Sequence, residues 1–210
     1  MEYRDAPEVL VLGLARGGVP VAFEVARKLN APLDVFLVRK LGMPGHEELA
    51  MGALASGGAL ILNEEVAAHT SEYQLARVIE REREELHERE VKYRSGREFP
   101  RITDRTVILV DDGLATGASM RVAVKALRQH APASIVVAVP VAPKETCSLL
   151  AQVADRVICA LTPRPFLGVG AWYEDFSQTS DDEVVELLRD AEKAQSARHS
   201  SRGDAANTAE

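Results

Sequence analysis

The segment Val107-Ile108-Leu109-Val110-Asp111-Asp112-Gly113-Leu114-Ala115-Thr116-Gly117-Ala118-Ser119-Met120 constrains this chain more than any other stretch. Its first four residues are apolar and mostly β-branched, which reads as a buried strand. Two adjacent carboxylates stand where that strand ends, a loop of small and hydroxyl residues follows, and Val122 to Leu127 carries a helical pattern. In an open α/β sheet the ligand crevice lies beyond the carboxyl ends of the strands. The order strand, acid pair, Thr-Gly-x-Ser, helix therefore sets two kinds of chemistry at one point. Backbone N–H groups and hydroxyls of Ala115, Thr116, Gly117, Ala118 and Ser119 can cradle a phosphate at a helix N-terminus. Asp111 and Asp112 can accept hydrogen bonds from sugar hydroxyls, or hold a divalent cation directly or through water. A phosphorylated sugar offers both groups. An ordinary strand, turn and helix cap does not account for two like charges side by side, which repel unless something binds them.

The wording VDDGLATGASM closely resembles the phosphoribosyl-pyrophosphate (PRPP) motif of the type I phosphoribosyltransferases, nearest to its adenine phosphoribosyltransferase variant. The resemblance covers most of residues 8 to 190. It implies a type I α/β fold: a mainly parallel five-stranded sheet flanked by helices, with a small hood. It also implies PRPP as donor and Mg²⁺ as cofactor, held by Asp111 and Asp112, with Ala115 to Ser119 around the 5′-phosphate. Receiver domains, too, carry an acidic pair after such a strand. They need a phosphoacceptor Asp at the end of a later strand, and here Ser134 to Val139 runs into Pro140-Val141-Ala142-Pro143. The acid pair also lies in mid-chain.

Two further segments extend the donor side. Leu14-Ala15-Arg16-Gly17-Gly18-Val19-Pro20 follows the first strand; its glycines permit close backbone approach, and the turn feeds a helix N-terminus. In the family this is the pyrophosphate loop, so Arg16, Gly17 and Gly18 are pyrophosphate ligands by resemblance, with Arg16 clamping phosphate oxygens. Arg39-Lys40-Leu41-Gly42-Met43-Pro44-Gly45 follows the second strand and resembles the corresponding Arg-Lys segment of adenine phosphoribosyltransferases. Arg39 and Lys40 are cations suited to a leaving pyrophosphate, where negative charge builds. Arg16, Lys40, Asp111 and Asp112 form the expected catalytic set. Gly45 to Gly58 corresponds to the family's mobile flap, with Glu47 and Glu48 as its acids.

Composition bounds the partners. At 210 residues the chain is one domain with a core that needs no staples, and 46% of it is hydrophobic. A net charge of −7 argues against broad nucleic-acid binding and gives no drive toward anionic membranes. Cys147 and Cys159 make neither a disulfide framework nor a metal-type spacing. With no signal-peptide pattern and no long apolar run, a cytoplasmic location is expected. PRPP and a small-molecule acceptor are the expected partners, within a homodimer.

The alternation of elements supports one doubly wound core. Strands are expected at Val9–Gly13, Leu33–Val38, Val107–Asp111, Ser134–Val139 and Arg156–Ala160, with helices over Pro20–Leu29, Ser119–His130, Pro143–Ala154 and Asp182–Ala194. Leu49 to Leu62 reads as two short strands, or one strand with a mobile loop. Ser71 to Arg94 is the longest helical signal, a thin apolar stripe in a Glu/Arg background, expected to be mostly a solvated arm. Residues 1 to 194 form the expected domain. Residues 195 to 210 lack periodicity and read as a disordered tail or as a linker to a fused or partner domain.

The acceptor side is less defined. Phe166-Leu167-Gly168-Val169-Gly170-Ala171-Trp172-Tyr173-Glu174-Asp175-Phe176 looks like the hood of purine-salvage enzymes, which makes Phe166 and Trp172 stacking candidates for a planar heterocycle; packing of the last helix onto the sheet is the other use of these aromatics. Ala115 stands where hypoxanthine-guanine enzymes carry an Asp, and Arg156 to Ala160 lacks their late Lys. Ala55-Ser56-Gly57-Gly58 lacks the flap Glu of adenine enzymes. Two functions follow. One is transfer of 5-phosphoribosyl to a nucleobase-like nitrogen acceptor. The other is a non-catalytic PRPP- or nucleotide-sensing protein of the same fold. Arg16, Lys40 and a flap favour the enzyme, since a sensor needs no leaving-group cations.

Overall fold

The computed structural model describes residues 2–206, with side chains to residue 197. Val9–Leu14 (β1), Leu33–Phe36 (β2), Thr106–Val110 (β6), Ser134–Val141 (β7) and Arg156–Leu161 (β8) form a parallel central sheet in the order β2-β1-β6-β7-β8. Helices Gly18–Leu29 (α1) and Asp181–Ala206 (α6) lie on one face, and Ala118–Arg128 (α4) and Lys144–Leu150 (α5) on the other. The α/β architecture is as expected. β1 and β6 are buried throughout apart from Thr106, as strands covered on both faces must be.

Strand order decides where a ligand can sit. The chain runs outward from β1 to β2 in one direction and from β6 through β7 to β8 in the other. Direction therefore reverses between β1 and β6, where a crevice opens outside the strand ends. Gly13 pairs with Val110 across that switch point, so the turn after β1 and the acids after β6 emerge side by side.

A second sheet bears out the two-strand reading of Leu49 to Leu62, with shifted bounds, and adds a third strand that was not expected. Val38–Met43 (β3), His46–Ala55 (β4) and Ala59–Leu62 (β5) form an antiparallel sheet, in which β3 is the added strand. Arg39 and Lys40 thus sit within a strand and not beyond a strand end. Leu41, Met51 and Leu54 anchor the hairpin to the core, while Gly42 occupies a register shift where a Cβ would stand 2.9 Å from the Glu47 carbonyl. A short helix, Glu64–Ala67 (α2), follows.

The long helix Glu72–Arg94 (α3) starts at a Ser71–Gln74 capping box. It is no free arm: Val78, Glu82, Leu86, Tyr93 and Arg94 are all buried. Arg94, 1% exposed, donates to Asp34 at 2.8 Å and to the Val35 carbonyl at 2.8 Å, pairs with Glu90 at 2.9 Å, and lies over the Phe99 ring. Ser56 accepts from Arg94 and from the Leu37 N–H, which ties the foot of the hairpin to β2 and α3. Helix α6 continues past Ala194 to Ala206, through residues whose composition reads as a linker; 207–210, the end of that expected tail, lie outside the described residues.

Candidate functional site

The site is built where β1 and β6 end. Residues 15–17 turn directly into α1, and the Ala15–Arg16 peptide is cis. A Cβ on Gly17 would overlap the Asp112 carboxylate, with Asp112 Cγ at 2.9 Å. A Cβ on Gly18 would stand 2.6 Å from the Val110 carbonyl and 2.8 Å from Asp111 Cα. Two segments that are ninety-odd residues apart in sequence thus meet at van der Waals contact, and the two glycines are what permits it.

The loop after the acids closes a second wall. Asp111, Gly113, Leu114, Ala115, Thr116, Gly117, Ala118, Ser119 and Met120 line a cleft of about 180 Å³. Gly117 takes a left-handed φ of 69°, which turns the chain into α4, and a Cβ there would meet the Thr146 methyl at 2.8 Å. Thr146 on α5 holds the loop from behind by donating to the Ala115 carbonyl at 2.7 Å. The side chain of Thr116 lies 3.4 Å from the Ala118 N–H. The start of α4, with no side-chain cap at Gly117, lines the same cleft as Asp111, a setting that suits an anion.

The acids carry the charge of the site. Burial and the neighbouring Asp112 push the Asp111 carboxyl up to about 7, although it accepts from the Asp112 N–H at 2.9 Å. Burial raises Asp112 as well. No cation among the described residues forms an ion pair with either. Tyr173 donates to the Asp112 carbonyl at 2.5 Å; its own hydroxyl is pushed up to about 12 by burial and by the two acids. No cluster of three or more His, Cys, Asp or Glu among the described residues could hold a metal. A cation here would rest on Asp111 and Asp112 and draw its remaining oxygens from the ligand, as Mg²⁺ does with phosphates.

The three basic residues fare differently. Arg16 projects from the turn, its Nη1 3.3 Å from Asp181 at the start of α6. Lys40 lies half-exposed on β3, beside Glu48 on β4. Arg39, expected at the pyrophosphate, is turned toward α3 instead of standing free. Its guanidinium is taken by Glu82 at 2.5 Å and Glu85 at 2.7 Å on α3, so its charge braces the hairpin instead. The strand alternation that sends Lys40 one way sends Arg39 the other.

A family model described as phosphoribosyl transferase domain matches residues 2–161. The chain belongs to the phosphoribosyltransferase family. A phosphoribosyltransferase is by class a glycosyltransferase that moves pentosyl groups. Two Mycobacterium tuberculosis proteins, from strains CDC 1551 and H37Rv, are each 46% identical over 182 residues and bear names that assign them provisionally as phosphoribosyl transferases. The match covers 86% of this chain but only 41% of each relative, so the chain spans less than half of their length. The crystal structure of TT1426 from Thermus thermophilus is 44% identical, with a TM-score of 0.75 over 88% of both chains.

The hood segment folds down on the site chiefly through Val169 and Tyr173. Val169 packs on Gly113, where a Cβ would stand 2.6 Å away, and Tyr173 reaches the acid strand. Trp172 lies in a 3₁₀ turn, Gly170–Trp172, and is 43% exposed; Phe166 is half-buried in the preceding loop. Tyr173 stacks on Phe176 at 5.2 Å. Glu47 and Glu48 are exposed on β4. Three contributors escaped the sequence reading: Thr146, Tyr173 and Asp181. Each is supplied by an element distant in sequence, and the one visible signal was the aromatic density around Tyr173.

Proposed function

We propose that this chain transfers 5-phosphoribosyl from PRPP, with Mg²⁺, to a nucleobase-like nitrogen acceptor and releases pyrophosphate. The observation that carries this reading is the contact of Gly17 and Gly18 with Asp112 and Asp111, beside the cleft formed by residues 113–120. It sets a pyrophosphate-sized turn, a pair of carboxylates and an anion-binding helix start around one crevice. The N–H groups of Ala115 to Ser119 hold the 5′-phosphate. Asp111 and Asp112 accept from the ribose hydroxyls, and bound substrate and cation offset the burial and the Asp112 charge that together raise Asp111. Mg²⁺, when bound, neutralises charge on the departing pyrophosphate. Arg16 and Lys40 add cationic charge on the leaving side. The anomeric carbon loses pyrophosphate as the acceptor nitrogen attacks, and the chain contributes mainly by positioning and electrostatics. Tyr173, bonded to the Asp112 carbonyl, is a better candidate than the exposed Trp172 for a residue beside the acceptor. The same reading carries a homodimer, which light scattering measures. Among the described residues no helix is long and apolar enough to cross a membrane.

The engagement of Arg39 by α3 favours a second reading, a PRPP sensor without catalysis, because one of the three expected leaving-group cations is withdrawn. Calorimetry with PRPP, with and without Mg²⁺, followed by pyrophosphate release across a panel of nucleobases and amines, tests both. Binding that depends on Mg²⁺ and falls at least about a hundredfold in an Asp111→Asn, Asp112→Asn variant supports the site. Absence of PRPP binding by the wild type refutes it, and tight binding without release for any acceptor supports the sensor.

A further inference from the structure

Asp181 is the first residue of α6, yet it does more than meet the positive end of its own helix. Its Oδ1 accepts from Tyr93 at 2.7 Å and faces Arg16 Nη1 at 3.3 Å, while Oδ2 accepts from Lys92 at 2.9 Å. Three elements converge on one carboxylate: the turn after β1, the last turn of α3, and the start of α6. The geometry points to Asp181 as a positioning residue that, held by Tyr93 and Lys92, aims Arg16 at the pyrophosphate of PRPP. This rests on the reading of residues 16–18 as the pyrophosphate loop.

The charges in the cluster make this arrangement useful. Lys92 offsets Asp181, so the guanidinium keeps an excess positive charge for an anion. Asp181 stays ionised at any ordinary pH, because the Tyr93 hydrogen bond and Lys92 hold its carboxyl down at about 2. Arg16 is 31% exposed, which leaves its other N–H groups within reach of solvent and ligand. A free arginine must give up many rotamers to grip a phosphate, whereas one already tethered gives up few. Tyr93 is itself 1% exposed, so the tether is rooted in the core.

Asp181→Glu keeps the charge and moves it by one methylene; Tyr93→Phe removes a hydrogen bond and no charge. Both variants, in wild-type and Arg16→Gln backgrounds, are titrated with magnesium pyrophosphate and, separately, with ribose 5-phosphate. The expected result is a loss of about fivefold to tenfold in pyrophosphate affinity for each, absent in the Arg16→Gln background, with ribose 5-phosphate affinity within about twofold of wild type. Unchanged pyrophosphate affinity overturns the role. So does an equal loss in the Arg16→Gln background, or an equal loss for ribose 5-phosphate, either of which marks a general structural effect. If the wild type binds neither ligand, the proposed function falls and this role falls with it; if the wild type binds both and the variants match it, only this role falls.

Discussion

Gly17 lies directly against Asp112: the backbone of the turn after β1 occupies the space where any larger residue would meet the carboxylate. Gly17→Ala therefore forces either the turn or the acid to move. The expected outcome is a loss of PRPP affinity of about tenfold to a hundredfold, measured by calorimetry, with a smaller effect on ribose 5-phosphate, whose phosphate we propose is held by the other loop. Equal losses for both ligands would show that the turn does not act separately.

Thr146 supports the 113–120 loop, the proposed phosphate cradle, from α5. Thr146→Val keeps the methyl that packs near Gly117 and removes the hydrogen bond to the Ala115 carbonyl. Thr146 is buried, so an unpaired carbonyl is left and a cost of about 1–2 kcal/mol in stability is expected, read by denaturant titration. Ribose 5-phosphate affinity should fall about threefold to tenfold, whereas pyrophosphate affinity should hold.

Arg94 is a buried cation with four polar partners, and replacing it strands Asp34, itself 6% exposed. Arg94→Leu is expected to cost about 3–5 kcal/mol in chemical denaturation. Adding Asp34→Leu should recover part of that, since the uncompensated charge is then gone. A greater loss in the double variant would count against this account.

Asp181 makes stability depend on pH with a definite sign. Its carboxyl titrates at about 2 in the folded chain, below its ordinary value, because Tyr93 donates to it and Lys92 and Arg16 lie beside it. A depressed acid stabilises the fold above the unfolded value of about 4 and loses that contribution as pH falls toward 2. The melting temperature of the wild type should therefore exceed that of Asp181→Asn at about pH 6, and the gap should close as pH is lowered below about 4. A gap that stays constant across that range would exclude the ionic contribution.

Much of this site was legible because its signals are local. The β6 strand, the acid pair, Thr116-Gly117 and α4 lie within a single run, and both the strand rule and the phosphate rule apply to adjacent residues. Arg16-Gly17-Gly18 was legible for the same reason. Arg39 was not, since its fate is set by Glu82, 43 residues away, and a strand's two faces cannot be told apart before its partner is known. The α3 helix misled for a related reason. Its charged residues read as solvated, but Glu82 and Arg94 are buried by pairing with groups on other elements. Helix boundaries shifted at α1 and α5, where Gly18 begins a helix two residues before Pro20 and α5 stops at Leu150.

The fastening of the antiparallel hairpin has a consequence for its motion. Its base is locked on both strands: Leu37 and Ser56 bond to each other, and Arg39 is clasped by Glu82 and Glu85. Leu41 and Met51 are sunk in the core just above that base. The bend between Pro44 and Leu49, by contrast, is open to solvent, with a left-handed Gly45 at its turn. Any swing must therefore pivot near the Gly42 register shift and not at the root, so the sweeping part is a short fingertip carrying Glu47 and Glu48, while Lys40 rides on the fixed knuckle behind it.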